Sequence, residues 1–347
     1  MTITEVTQSA VSSIDFNNLE FGKVFTDYML VSDFDGESWS DFSIEPLKSF
    51  EMHPATSVLH YGQAIFEGLK AYKSESGKIN IFRLKDNLKR LCISAERMQM
   101  PAIDEESSLE AIKRFVKLEE DFIPNRSQGS LYIRPFMIST DHTLKAVASR
   151  TYRFMVIACP VGFYYNTPLS IYLEQNFRRA AKGGVGYAKA AGNYGASFYP
   201  TEKAKQLGFD QILWTDITNN FTLEELGSAN FFYVKNGELY TPKMHDSILK
   251  GITRDTIIKL AEKNGIKVNK VEITARAFES DLASGAVDCM FATGTAAAIT
   301  YVNAVTIDSK KYQIASDVYG PIRELKTILD NAKFLDDLSN DQWNVVV

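Results

Sequence analysis

The chain has 347 residues, 45% of them hydrophobic and 23% charged, and carries a formal net charge of -5. That length allows two or three domains with sizeable cores, and the composition excludes a disordered, fibrous or disulfide-stapled chain. A mildly acidic balance with no Lys/Arg stripe argues against nucleic acid or an anionic membrane as partner, because both need a concentrated basic face. No apolar run approaches the roughly 20 residues of a membrane span, and the opening Met1-Thr-Ile-Thr-Glu-Val-Thr-Gln8 lacks the features of a signal peptide. Cys92, Cys159 and Cys289 are far apart and odd in number, so neither a disulfide framework nor a CxxC site is indicated. A reducing cytoplasm and no metal are expected.

In chain order, apolar spacing predicts an N-capped helix over 86–98, with Leu88, Leu91, Ala95 and Met98 on one face. Arg90 sits one turn inside it and by itself reads as a solvated helix residue. The β-branched and aromatic runs 131–138 and 152–158 read as buried strands. Two prolines and a glycine in 160–168 mark a domain connection, giving a smaller α/β domain over 1–162, a linker over 163–168 and a larger α/β domain over 169–347. Beyond it, strands are expected over 170–173, 210–216 and 231–234, helices over about 195–207 and 253–264, and a short buried strand over 287–292 that ends at Gly294. There is no internal repeat and no low-complexity tract.

The residues with chemistry cluster around Gly184-Val-Gly-Tyr-Ala-Lys189-Ala-Ala-Gly-Asn-Tyr194, one lysine between two glycine-rich turns. Glycines let backbone approach a bulky ligand, the small Ala188, Ala190 and Ala191 leave room around the amine, and a partly desolvated lysine can form a Schiff base with an aldehyde. Read without context, the same segment is a surface loop. Two further places suit a phosphate. They are the helix start at Gly251-Ile-Thr-Arg-Asp255, where first-turn amides and the helix dipole favour an anion, and the turn at Gly294-Thr-Ala296. Taken alone, Thr253 is equally a helix cap and Thr295 an ordinary turn residue. Two adjacent carboxylates, Glu224 and Glu225, lie downstream, and strand alternation should send them to opposite faces.

These segments resemble the pyridoxal-phosphate-dependent branched-chain aminotransferases of fold type IV. The likeness is carried by Phe21-Gly-Lys-Val-Phe-Thr-Asp-Tyr-Met-Leu30, His60-Tyr-Gly-Gln-Ala-Ile-Phe-Glu-Gly-Leu-Lys-Ala-Tyr72, Phe82-Arg83, Leu131-Tyr-Ile-Arg-Pro135, the Lys189 segment, Glu225-Leu-Gly-Ser-Ala-Asn230 and Gly294-Thr-Ala296, in the family's order and spacing. The resemblance implies a mixed α/β fold with pyridoxal 5'-phosphate at the interface of the two domains. It implies Lys189 as the covalent anchor and general base, and selects Glu225 over Glu224 as the partner of the pyridine nitrogen. Tyr194 would meet the phenolic oxygen, and Arg90, Ile252, Thr253 and Thr295 the phosphate.

The same resemblance implies an apolar slot of Phe21, Tyr61, Phe66 and Tyr132 for Leu, Ile and Val side chains, with Arg134 and tyrosine hydroxyls for the distal carboxylate of 2-oxoglutarate or glutamate. The α-carboxylate would fall to Ser228, Thr295 and Ala296. A homodimer is implied, in which the loop 141–147 supplies Leu144 and Ala146 to the partner's pocket. Where mammalian relatives carry a Cys-x-x-Cys pair, this sequence has Ala297-Ala-Ile-Thr300, which excludes thiol regulation by that route. The competing readings are a D-amino acid aminotransferase or aminodeoxychorismate lyase on the same fold, a dinucleotide oxidoreductase suggested by Gly184-x-Gly186 but without the third glycine, and an inactive binding protein on this scaffold.

Overall fold

The computed structural model describes residues 1–162, 167–218, 220–295, 298–314, 320–337 and 341–347. Contacts divide the chain into two units, Met1–Tyr164 with Ala188–Gly192 and Asn331–Val347, and Tyr165–Tyr187 with Asn193–Asp330. The division is therefore not a single cut. The lysine segment and the C-terminal stretch both group with the first unit.

The first unit is built on a nine-stranded sheet in the order Thr2–Ile3, Ser43–Pro46, Tyr28–Phe34, Tyr152–Val161, Ser130–Ser139, Leu69–Lys73, Ile79–Phe82 and Asn344–Val346, with Ala64–Phe66 added alongside Ser130–Ser139. The central pair Ser130–Ser139 and Tyr152–Val161 is antiparallel over its whole length. One face is covered by the helices Leu84–Arg97 and Glu105–Leu118, which bury Leu84, Leu88, Leu91, Ala95, Ile112, Phe115 and Val116. The first helix begins two residues before the expected start. Asp86 is no cap; Arg83 holds the N-cap position in left-handed backbone, and its guanidinium pairs with Asp86 at 2.7 Å. Asp104 caps the second helix, its carboxylate accepting from the Ser107 amide at 2.8 Å.

Glu119, at the end of that second helix, is fully buried and accepts from the Tyr28 amide at 2.7 Å. Burial pushes its carboxyl up to about 7 from the ordinary 4.5. The sign follows from linkage. The unfolded chain ionises near 4.5 while the folded one stays protonated, so stability falls as pH rises from 4.5 to 7 and is level above that. Glu119→Gln, which keeps the acceptor and loses the charge, is expected to unfold at higher urea than the wild type at pH 8, by up to about 3 kcal/mol, with the gap closing towards pH 4.5. A gap independent of pH would refute this.

The second unit holds another nine-stranded sheet, in the order Leu223–Leu226, Gln211–Thr215, Leu169–Leu173, Ala298–Ile307, Val287–Gly294, Ala229–Lys235, Glu238–Pro242 and Val268–Val271, with Lys310–Gln313 beside Ala298–Ile307. Leu223–Leu226 also pairs with Ala229–Lys235, which closes six of these strands into a ring. Its core is aromatic and aliphatic, with Leu173, Leu213, Phe231, Phe278, Met290 and Val305 almost wholly buried. The helix expected over 253–264 runs Ile252–Lys263, and the one expected over 195–207 is a short turn Gly192–Gly195 followed by Phe198–Gln206. Among the described residues no helix is long and apolar enough to cross a membrane, and no group of three or more His, Cys, Asp or Glu is placed to hold a metal.

Candidate active site

In the first unit the candidate groups are organised around the backbone of Lys189. An isolated bridge pairs Ala190 with Ile65, the Ala191 amide donates to the Ala64 carbonyl at 3.0 Å, and the Phe66 amide donates to the Lys189 carbonyl at 3.1 Å. On the other side, the Lys189 amide donates to Ser94 Oγ at 2.9 Å. Ala188 and Ala190 are buried while the intervening lysine is only half buried, and its Nζ lies 4.6 Å from the centre of the Phe66 ring.

Phe66 meets a second cation there. The Arg134 guanidinium is 4.6 Å from the same ring, and donates to the Tyr132 hydroxyl at 2.9 Å. Arg134 Nε is buried with no hydrogen-bond partner among the described residues. Tyr132 packs edge-on against Phe21 at 4.9 Å, and its hydroxyl lies where any Cβ at position 68 would stand, which is why Gly68 follows Glu67. Tyr61 is half exposed, and its hydroxyl donates to the Leu144 carbonyl of the same chain, while Leu144 and Ala146 themselves are exposed.

Arg90 is not solvated. It is 7% exposed, and its Nε and Nη2 each lie 2.7 Å from an oxygen of Glu67, a two-pronged pair that fixes the guanidinium plane. Glu67 is itself 1% exposed and anchored through its amide to the Pro135 carbonyl. Sequence reasoning did not single out Glu67 or Ser94. The available signals were an acid directly after Phe66 and a serine one helical turn after Arg90.

The second unit gathers a different set. Glu225 pairs with Asn230 across a tight hairpin whose turn is Gly227-Ser228, and Asn230 pairs in turn with Thr293 on the strand that leads to Gly294 and Thr295. Ser228 is exposed in that turn and Thr295 half buried. Asn230 donates to the Leu249 carbonyl at 3.1 Å and abuts Gly251, the N-cap of Ile252–Lys263. That helix start has no side-chain cap, so Thr253 lies within the first turn and does not serve as a cap. Thr293 Oγ1 is buried without a hydrogen-bond partner among the described residues. Ala296 lies outside the described residues. Tyr194 sits in the short helix Gly192–Gly195, half buried.

Both neighbouring glutamates are buried, contrary to the expected inward and outward alternation. One Glu225 oxygen accepts from the Leu249 amide and the other is 3.4 Å from Arg179 Nε. Glu224 accepts from the Ser247 hydroxyl, and Ser247 also meets His245 Nδ1 at 2.7 Å. Burial pushes Glu224 up to about 7 and, as the leading cause, pulls His245 below its ordinary value. The two therefore act as a hydrogen-bonded pair through Ser247, and their 3.9 Å separation adds little ionic attraction. Strand alternation fails as a guide because both faces of Leu223–Leu226 are covered. The glycine loop is corrected too. A Cβ at Gly186 would stand 2.5 Å from the Ser247 carbonyl oxygen, so that glycine makes room for protein backbone and not for a ligand.

Each unit by itself offers groups that suit a phosphate-bearing aldehyde. In the first unit an amine is held on a fixed backbone, a buried arginine is locked in plane, and Arg134 Nε is buried without a protein partner among the described residues. In the second unit an uncapped helix start can receive an anion, and Thr293 Oγ1 is buried without a protein partner among the described residues.

Comparison with known proteins agrees with this chemistry. The family model for amino-transferase class IV matches residues 64–305. The chain is 44% identical over 323 residues, 91% of each sequence, to "Branched-chain-amino-acid transaminase 1" of Bacillus subtilis (strain 168). Its structure is similar to the branched-chain amino acid aminotransferase from Escherichia coli, with a TM-score of 0.72 and 26% identity over 92% of this chain and 98% of that one. It is also similar to the T.th. branched-chain amino acid aminotransferase complexed with N-(5'-phosphopyridoxyl)-L-glutamate, with a TM-score of 0.71 and 27% identity over 91% and 97% of the two chains.

Proposed function

The chain belongs to the class IV aminotransferases, and within them we infer that it is a branched-chain amino acid transaminase, exchanging the amino group of L-leucine, L-isoleucine or L-valine with 2-oxoglutarate. Pyridoxal 5'-phosphate is the cofactor, and when bound it supplies the electron sink conjugated to the substrate's Cα. Lys189 is the residue that would anchor it, and its amine, when free, would serve as the base that takes the proton from the substrate's Cα and as the acid that returns it. Arg90, the amides of Ile252 and Thr253, and Thr295 are proposed to hold the phosphate. Glu225 would keep the pyridine nitrogen protonated, and Tyr194 would hydrogen-bond the phenolic oxygen.

The observation that carries the substrate reading is the floor formed by Phe66, Tyr132 and Arg134. Aromatic rings offer an apolar wall to a branched aliphatic side chain, while a buried guanidinium nitrogen with no protein partner among the described residues offers a donor to a side-chain carboxylate. One slot can then accept both halves of the exchange in alternation. Phe21 and Tyr61 extend the apolar wall, and Ser228, Thr295 and Ala296 are proposed for the α-carboxylate. The two units are proposed as domains of a cytoplasmic homodimer in which Leu144 and Ala146 reach the partner's pocket.

An amino-donor panel assayed with 2-oxoglutarate tests the assignment. Leu, Ile and Val are expected to be used with kcat/KM values within roughly 200-fold of each other, because an apolar slot discriminates a methylene by only about 1–3 kcal/mol. Preference for D-amino acids, or no turnover of any of the three, would reject it in favour of another enzyme of the same fold.

A further inference from the structure

Four residues of the first unit are joined in series, and two of them, Glu67 and Ser94, have no part in binding or chemistry as described so far. Glu67 grips Arg90 at 2.7 Å through two prongs. One turn later on the same helix, the Ser94 hydroxyl donates to the Arg90 carbonyl at 3.0 Å and accepts from the Lys189 amide at 2.9 Å. Ser94 is fully buried. Its oxygen thus links the backbone of the arginine's helix turn to the amide of the lysine.

We propose that Ser94 is a positioning residue that fixes the separation between the lysine amine and the arginine guanidinium, and so sets the span between the covalent anchor and the phosphate clamp. This rests on the assignment of Lys189 and Arg90 as cofactor residues. The geometry supports a positioning role because Lys189 has hydrogen bonds on both sides of its residue, to Ser94 through N–H and to Phe66 through C=O, and the first meets the helix that carries Arg90 directly, whereas the second reaches it through Glu67 and the ion pair. Losing the Ser94 acceptor leaves the segment held on one side, to Ala64 and Phe66, so that the turn carrying the lysine can tilt about that edge. A hydroxyl bonded to the carbonyl four residues back gives a helix little by itself, and alanine is the better helix former, so the serine is not explained by helix stability.

Ser94→Ala and Ser94→Cys test the idea. In cofactor-free protein, hydrogen exchange of the peptide containing the Lys189 amide is expected to quicken roughly tenfold in Ser94→Ala, the loss of about one hydrogen bond, with a smaller effect in Ser94→Cys, whose sulfur is a weak acceptor. In loaded protein, the pH midpoint of the cofactor's visible absorbance should move and kcat should fall several-fold with KM for leucine kept. Wild-type exchange in both variants would overturn the proposal. So would faster exchange with midpoint and kcat unchanged, since the bond would then be structural only. If Ser94→Ala does not fold, Ser94→Cys is read by the same criteria. Borohydride reduction of the wild type followed by peptide mapping separates the premise from the proposal. Failure to label Lys189 would remove the cofactor assignment and leave the exchange result standing.

Discussion

Lys189→Ala is expected to lower transamination by at least about 10⁴-fold, because one amine serves as covalent anchor, base and acid. The variant should fold as the wild type does. The bonds of its amide and carbonyl, to Ser94 and Phe66, are kept by an alanine. Its side chain is half buried, and its contact with the Phe66 ring is lost in the variant. Steady-state rates with leucine and 2-oxoglutarate, measured beside an unfolding curve, check both halves of the expectation. Wild-type-like turnover without the lysine would reject the whole scheme.

The second large effect is expected at Glu67. Its pair with Arg90 is almost wholly removed from water, and breaking such a pair from one side strands a buried charge at a cost of about 3–5 kcal/mol. Glu67→Leu and Arg90→Leu should each destabilise the cofactor-free protein by that order in urea unfolding. The double variant should recover much of the loss, because two apolar side chains leave no unpaired charge. Cofactor retention should separate the roles further. It falls in both variants that lack Arg90, whatever their stability, if the guanidinium binds phosphate. A double variant as unstable as the sum of the singles would show that the pair contributes no coupling.

Much of the fold was legible because periodicity reports directly on which face is buried. The strands at 131–138 and 152–158 lie within Ser130–Ser139 and Tyr152–Val161, and Leu88, Leu91 and Ala95 line the buried face of their helix. Where the reading failed, a tertiary contact outweighed a local rule. Asp86 has the chemistry of a cap, yet Arg83 enters the helix in left-handed backbone and uses Asp86 as an ion-pair partner. Glu224 and Glu225 cannot alternate between core and solvent on a strand covered on both faces. Gly186 looked like clearance for a ligand and is clearance for the Ser247 backbone.

By itself the sequence determined which chemical groups this protein has: one lysine among small residues, an acid on a short strand, an arginine in a helix and a helix start suited to an anion, in an order that resembles one enzyme family. Residue identity is enough for that, because donors, acceptors and charges are properties of side chains. Only the tertiary structure decided which groups hold the others in place. Glu67 reaches Arg90 across 23 positions and Ser94 reaches Lys189 across 95, and no local pattern encodes such pairs, since they form when separate elements are packed until their buried polar atoms find partners.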